Sequence, residues 1–179
     1  MIFIGTTIWL VALVALVLWL PQNAQHEAAH CALHKWYGAE ILSFKPWPTW
    51  EGHFRFASMS YRQPKDKPLT GPQEALCSAA PLLLNTTILI AAGLLRWALD
   101  GTGAASPVLL SILAGWALVN YVDGAVWLGT YYRSKPKPST DGWKVQRALD
   151  IDVDSCRAMA VAWHLGFGVY LLLPWLPIW

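Results

Sequence analysis

His26-Glu27-Ala28-Ala29-His30 places two imidazoles four residues apart, with a carboxylate beside the first. On an α-helix, positions i and i+4 share one face about 6 Å apart. Two imidazoles so placed can hold one zinc ion, and Glu27 sits where it can take a proton from a water on that ion. Zinc lowers the pKa of such a water to about 7, and Glu27 can then pass the proton to a leaving amine. The competing reading is a polar cluster with no metal. Two His and a Glu next to an apolar run are costly unless they pair with something, which favours the metal.

A hydrolytic zinc site usually has three protein ligands and one open position. His34 continues the row His26, His30, but eight residues of helix separate it from His26 by about 12 Å, too far for a shared ion. It is expected to be an interfacial polar residue, and His53 an exposed loop residue. Two Asp-Gly pairs compete for the third ligand. Asp141-Gly142 follows a Pro-rich loop and opens a short helix, where Asp141 could otherwise be a helix cap. Asp123-Gly124 lies inside an apolar run with no Lys or Arg in any such run to neutralise it; its other readings are a hydrogen-bonded partner of His164 and a protonated acid.

The elements that must position these groups are apolar helices. The chain has 179 residues, 55% of them hydrophobic and 13% charged, with twelve Trp. One domain fits this length, and nucleic-acid binding by a basic surface is excluded. Four runs are long enough to cross a bilayer, at about 2–20, 75–95, 104–132 and 158–179. The first has no basic start and no convincing cleavage site, so it is expected to stay as a span. Pro21 follows it, and a motif helix over about 22–37 then either continues with a kink or turns back. The fold class is therefore an all-α membrane protein of about four spans. A short interfacial strand or hairpin over Gly52 to Arg62 and a short amphipathic helix from Trp143 to Leu149 complete it. Three Cys at irregular spacing predict neither disulfides nor a thiolate zinc site.

Charge sets the expected orientation. All thirteen Lys and Arg except Arg96 lie between spans one and two or between spans three and four. With four spans those loops share a side, which the positive-inside rule makes cytoplasmic, with both termini outside. The expected location is a cell membrane of the bacterial type. His26, His30 and Asp141 all fall on the cytoplasmic side, and so does Asp123.

Taken in order, three segments resemble the site-2 protease family of zinc intramembrane proteases. They are HEAAHCALHKWYGAEI from His26 to Ile41, AAPLLLN from Ala79 to Asn85, and STDGWKV from Ser139 to Val145. The resemblance implies Zn2+ held by His26, His30 and Asp141, catalysis by Glu27, and a substrate-orienting role for Asn85. Asn85 could equally serve inter-helix hydrogen bonding. The pattern departs from the family where Asn120 lies far upstream of Asp141 but only three residues before Asp123, and where Trp143 stands in place of a second Gly. The implied activity is zinc-dependent hydrolysis of a peptide bond in or near the membrane segment of a protein substrate. The strand over Gly52 to Arg62 could hold that substrate extended by edge pairing. The alternatives are a membrane-anchored zinc protease with Glu74 as third ligand, and a zinc-binding membrane scaffold without catalysis.

Overall fold

The computed structural model describes residues 2–50, 52, 54–55, 57–102, 106–132 and 140–172. It is mostly helical. Helix α1 spans Ile2–Trp36, α2 Gly71–Thr102, α3 Pro107–Leu128, α4 Asp141–Leu149 and α5 Val153–Leu172. A single 3-10 turn, Gly129–Tyr132, extends α3. Helices α1, α2 and α3 pack on one another, α4 lies against α2, and α5 against α3 and the 3-10 turn. Among the described residues, three segments are long and apolar enough to cross a membrane: Ile8–Trp36, Gly71–Leu99 and Pro107–Tyr132. The expected fourth span, 158–179, runs past the described residues; the part described belongs to α5, which is not one of the three.

Polarity is distributed as a lipid solvent demands. Trp9, Leu16, Trp97 and Val126 point outward, while Asn85 is 1% and Asn120 0% exposed. Without water outside, polar groups between helices hold the bundle together and apolar ones face the lipid.

Span one and the motif helix form one element rather than two. Helix α1 runs through Pro21 for 35 residues. Pro21 has no N–H to give the Val17 carbonyl, a loss that costs about 3 kcal/mol in a helix interior. The helix packs against α2 and α3, and the Asn23 amide donates to the Trp19 carbonyl at 2.6 Å. The helix then stops sharply at Gly38, whose φ of 86° is the left-handed conformation glycine adopts at low cost. Ala39 N–H bonds the His34 carbonyl at 2.9 Å and Gly38 N–H the Lys35 carbonyl at 3.0 Å, the paired bonds of a Schellman stop.

The turn at Gly38 feeds a β-hairpin. Strand β1 (Glu40–Lys45) pairs antiparallel with β4 (Ser58–Arg62), from Glu40 opposite Arg62 to Lys45 opposite Ser58, with a bulge between Ile41 and Ser43. At the tip, β2 (Thr49–Trp50) pairs with β3 (Phe54–Arg55). The expected strand over Gly52 to Arg62 is thus two short strands, each with a partner from the preceding segment. His53 lies outside the described residues. Cys31, Cys77 and Cys156 are all free thiols.

Candidate metal centre

Helix α1 carries His26, Glu27 and His30 in its C-terminal half, and the two imidazoles stand 5.2 Å apart between ring centroids. His30 Nδ1 lies 2.7 Å from the Cys77 carbonyl of α2. A carbonyl only accepts, so Nδ1 carries a proton and donates, which leaves Nε2 facing the other way. His30 Nε2 lies 3.1 Å from Asp141 Oδ2, and His26 Nε2 is 3.8 Å from the same oxygen. Ligand atoms of His26, His30 and Asp141 all lie within 4.8 Å of one another.

Asp141 reaches this point because it opens α4, with Thr140 as the cap residue. The expected helix from Trp143 therefore starts two residues earlier, and Asp141 is its first residue rather than its cap. Gly142 permits the close seat beneath it. A Cβ there would fall on Thr130 Oγ1 and within 3.2 Å of the Tyr131 ring. Tyr131 O–H donates to the Gly142 carbonyl at 2.9 Å, tying α4 to the 3-10 turn. A Gly142→Ala chain is expected to lose about 1–3 kcal/mol of stability. It is also expected to bind zinc more weakly, because Asp141 moves with the helix start. A denaturation series with parallel zinc titration checks this, and Thr130→Ala in the same chain should restore part of both.

Burial alone would raise the Asp141 carboxyl. Its hydrogen bonds with His26 and His30, with the positive charges of His30 and Lys144, outweigh burial and hold it well below the usual carboxylate range. It is therefore an anion that only accepts. Lys144 Nζ donates to Oδ1 at 3.0 Å, which leaves Oδ2 for the imidazoles. His30 Nε2 and Asp141 Oδ2 then face each other at 3.1 Å. Such a pair needs a cation or a proton between them. A tetrahedral ion with bonds of about 2.0–2.1 Å sets its ligands about 3.3 Å apart, and His/His/Asp donors suit zinc. The residues fit the metal.

The chain matches no protein-family model, no curated protein and no solved structure. The site is thus read on its own geometry.

A cavity of about 260 Å³ opens beside the cluster. Glu27, His30 and Asp141 form one side; Met59 and Tyr61 of β4 and Glu74 and Ser78 of α2 form others. Glu74 lines the cavity but is not in the group of converging ligand atoms. His34, expected as an interfacial polar residue, lines the cavity. It is buried, and its ring stacks on Tyr61 with centroids 3.6 Å apart, because the Gly38 stop folds the hairpin back over the last turn of α1.

The structure separates the two candidate aspartates. Asp123 Oδ2 lies 2.9 Å from His26 Nδ1, on the ring edge opposite Asp141. Its expected alternative partner, His164, instead bonds the Ala160 carbonyl at 2.6 Å and meets Tyr132 Oη at 3.3 Å. Asn85 is enclosed between helices: its Nδ2 donates to Asp123 at 2.7 Å and its Oδ1 accepts from Gln22 at 2.9 Å. Both ends of the amide are engaged in inter-helix bonding. Gln22 and Gln25, which the motifs did not single out, join Asn85 there together with Asn120. The available signal was amide side chains in or beside apolar runs, where each costs free energy unless bonded.

Proposed function

We propose that this chain is a zinc-dependent intramembrane endopeptidase of the site-2 protease kind. The observation that carries the reading is the convergence of His26, His30 and Asp141 acceptor atoms beside a cavity that Glu27 also lines. His26, His30 and Asp141 would hold the ion. Bound there, zinc would supply a Lewis acid for the scissile carbonyl and a water that ionises near neutral pH.

The chain's own groups account for the rest. Glu27 takes a proton from the attacking water and delivers it to the leaving amine. Lys144 neutralises Asp141 Oδ1 and keeps that carboxylate turned toward the imidazoles. An intact helix keeps its backbone carbonyl groups in its own hydrogen bonds. A membrane helix must therefore unwind locally before its carbonyl groups can be attacked, and the exposed β-hairpin beside the cavity offers backbone partners for it. The reading includes a fourth span over 158–179 and an orientation with the metal site toward the cytoplasm, both termini outside. The basic residues between spans one and two and between spans three and four support that orientation.

Reconstitution with a single-span substrate in lipid vesicles tests the proposal. Cleavage is expected with zinc, lost after treatment with a chelator, and regained on adding back about one zinc per chain. Cleavage that persists in demonstrably zinc-free protein would overturn it. Zinc binding without cleavage of any membrane-spanning substrate would support the scaffold reading instead.

A further inference from the structure

One carboxylate, Asp123, meets the back of His26, and two amides, Asn85 and Gln22, converge on that carboxylate. Asp123 sits in α3 within a segment apolar enough to cross a membrane, and no Lys or Arg lies in that segment. An uncompensated carboxylate there costs a few kcal/mol. The compensation is local and directional. His26 Nδ1 approaches Asp123 Oδ2 at 2.9 Å, Asn85 Nδ2 at 2.7 Å and Gln22 Nε2 at 3.5 Å.

The amides can face only one way. Asn85 donates to Asp123 with Nδ2, so its Oδ1 must accept, which it does from Gln22 at 2.9 Å and Gln25 at 3.4 Å. Gln25 also donates to Asn120 Oδ1 at 3.0 Å, and Asn120 Nδ2 is spent on the Trp116 carbonyl at 2.9 Å. The donors of Gln22 and Asn85 thus end on one carboxylate, and no acceptor competes with it for the His26 Nδ1 proton. A carboxylate only accepts, so Nδ1 carries that proton, and only Nε2 is left to face Asp141 Oδ2, at 3.8 Å.

We propose that Asp123 is a positioning residue for the metal. Held by Asn85 and Gln22, it fixes the Nδ1–H tautomer and the ring angle of His26, as the Cys77 carbonyl does for His30. The inference rests on the metal reading above and assigns Asp123 a role distinct from direct ligation. Outer partners of this kind change metal affinity about 10–100-fold when removed.

The test measures zinc affinity by chelator competition in detergent for wild type, Asp123→Ala, Asp123→Asn and Asn120→Ala. It is paired with nitrogen-15 spectra of the His side chains in the metal-free chain. Asp123→Ala is expected to weaken zinc about 10–100-fold yet still take one zinc per chain at saturation. Asp123→Asn keeps an oxygen that accepts from Nδ1–H and should recover most of the affinity. Asn120→Ala removes a polar link in the same bundle without touching His26; it should lower the melting temperature and leave zinc affinity within about threefold.

Unchanged affinity in Asp123→Ala overturns the proposal. So does complete loss of the zinc site, which would make Asp123 a ligand, or an equal loss in Asn120→Ala, which would make the effect structural. The spectra decide independently of the metal. His26 should be protonated at Nδ1 in the wild type and become a tautomer mixture in Asp123→Ala. A wild type that takes no zinc but shows this change would sink the metal reading while sustaining the tautomer assignment; an unchanged tautomer would sink the assignment.

Discussion

A Glu27→Gln chain is expected to keep its zinc and lose its cleavage. The amide has nearly the shape of the carboxylate but cannot accept a proton from water, so the proton-transfer contribution of about 10²–10⁴-fold disappears. Glu27 lies outside the group of converging ligand atoms, so metal content should equal that of wild type. The helix should also be intact, because Gln and Glu have similar helix propensity. Zinc per chain, melting temperature and cleavage rate measured on one preparation check all three. A variant that cleaves within about threefold of wild type would remove Glu27 from the chemistry and leave only a metal site. A variant that loses zinc as well would make Glu27 part of the coordination.

The second large effect is expected at Asp141. Asp141→Ala removes one of the three converging acceptors and leaves His26 and His30 facing a gap that Lys144 borders. Two imidazoles from one helix cannot complete a site that needs three protein ligands. Zinc should no longer be retained through purification, and cleavage should fall below detection. The ion-pair partner of Asp141 gives the contrast. Lys144→Gln removes the contact at Oδ1 and leaves Oδ2 in place, so zinc should stay bound at saturation while its affinity falls about tenfold, the lower end for outer-shell changes. Equal losses in the two variants would argue that α4 as a whole, not the Asp141 carboxylate, holds the site together.

Much of this arrangement is readable from local sequence. The spacing of His26 and His30 puts both rings on one helical face, and both meet Asp141. The apolar runs locate α2 and α3: α2 extends past 75–95 at both ends because polar turns continue a helix at little cost, whereas α3 and its 3-10 turn lie within 104–132. Pro21 leaves two outcomes open in the sequence, a continued helix or a turn back, and the chain takes the first: α1 runs through it, packed on two neighbouring helices.

The choice between Asp123 and Asp141 is not local at all. Both precede Gly, both fall on the expected side, and only tertiary distances separate a carboxylate at Nε2 from one at Nδ1. Gly142 illustrates the same limit. Its need to be small comes from Thr130 and Tyr131, residues of another element. His34 reads as a polar residue at an interface, and its burial under Tyr61 depends on where the hairpin folds. The Gln22, Gln25, Asn85 and Asn120 group spans three helices, so no single segment contains its pattern.

The most direct test of the central claim is zinc X-ray absorption on the wild-type chain in detergent, with zinc per chain measured on the same sample. Asp141→Ala and Asp123→Ala are measured beside it. The expected result is about one zinc per wild-type chain, with two imidazole nitrogens and carboxylate or water oxygens at about 2.0–2.1 Å. The same first shell should appear in zinc-saturated Asp123→Ala, and none in Asp141→Ala. A wild type that holds no zinc after zinc is supplied, or one whose coordination survives the loss of Asp141 unchanged, would contradict the His26–His30–Asp141 site.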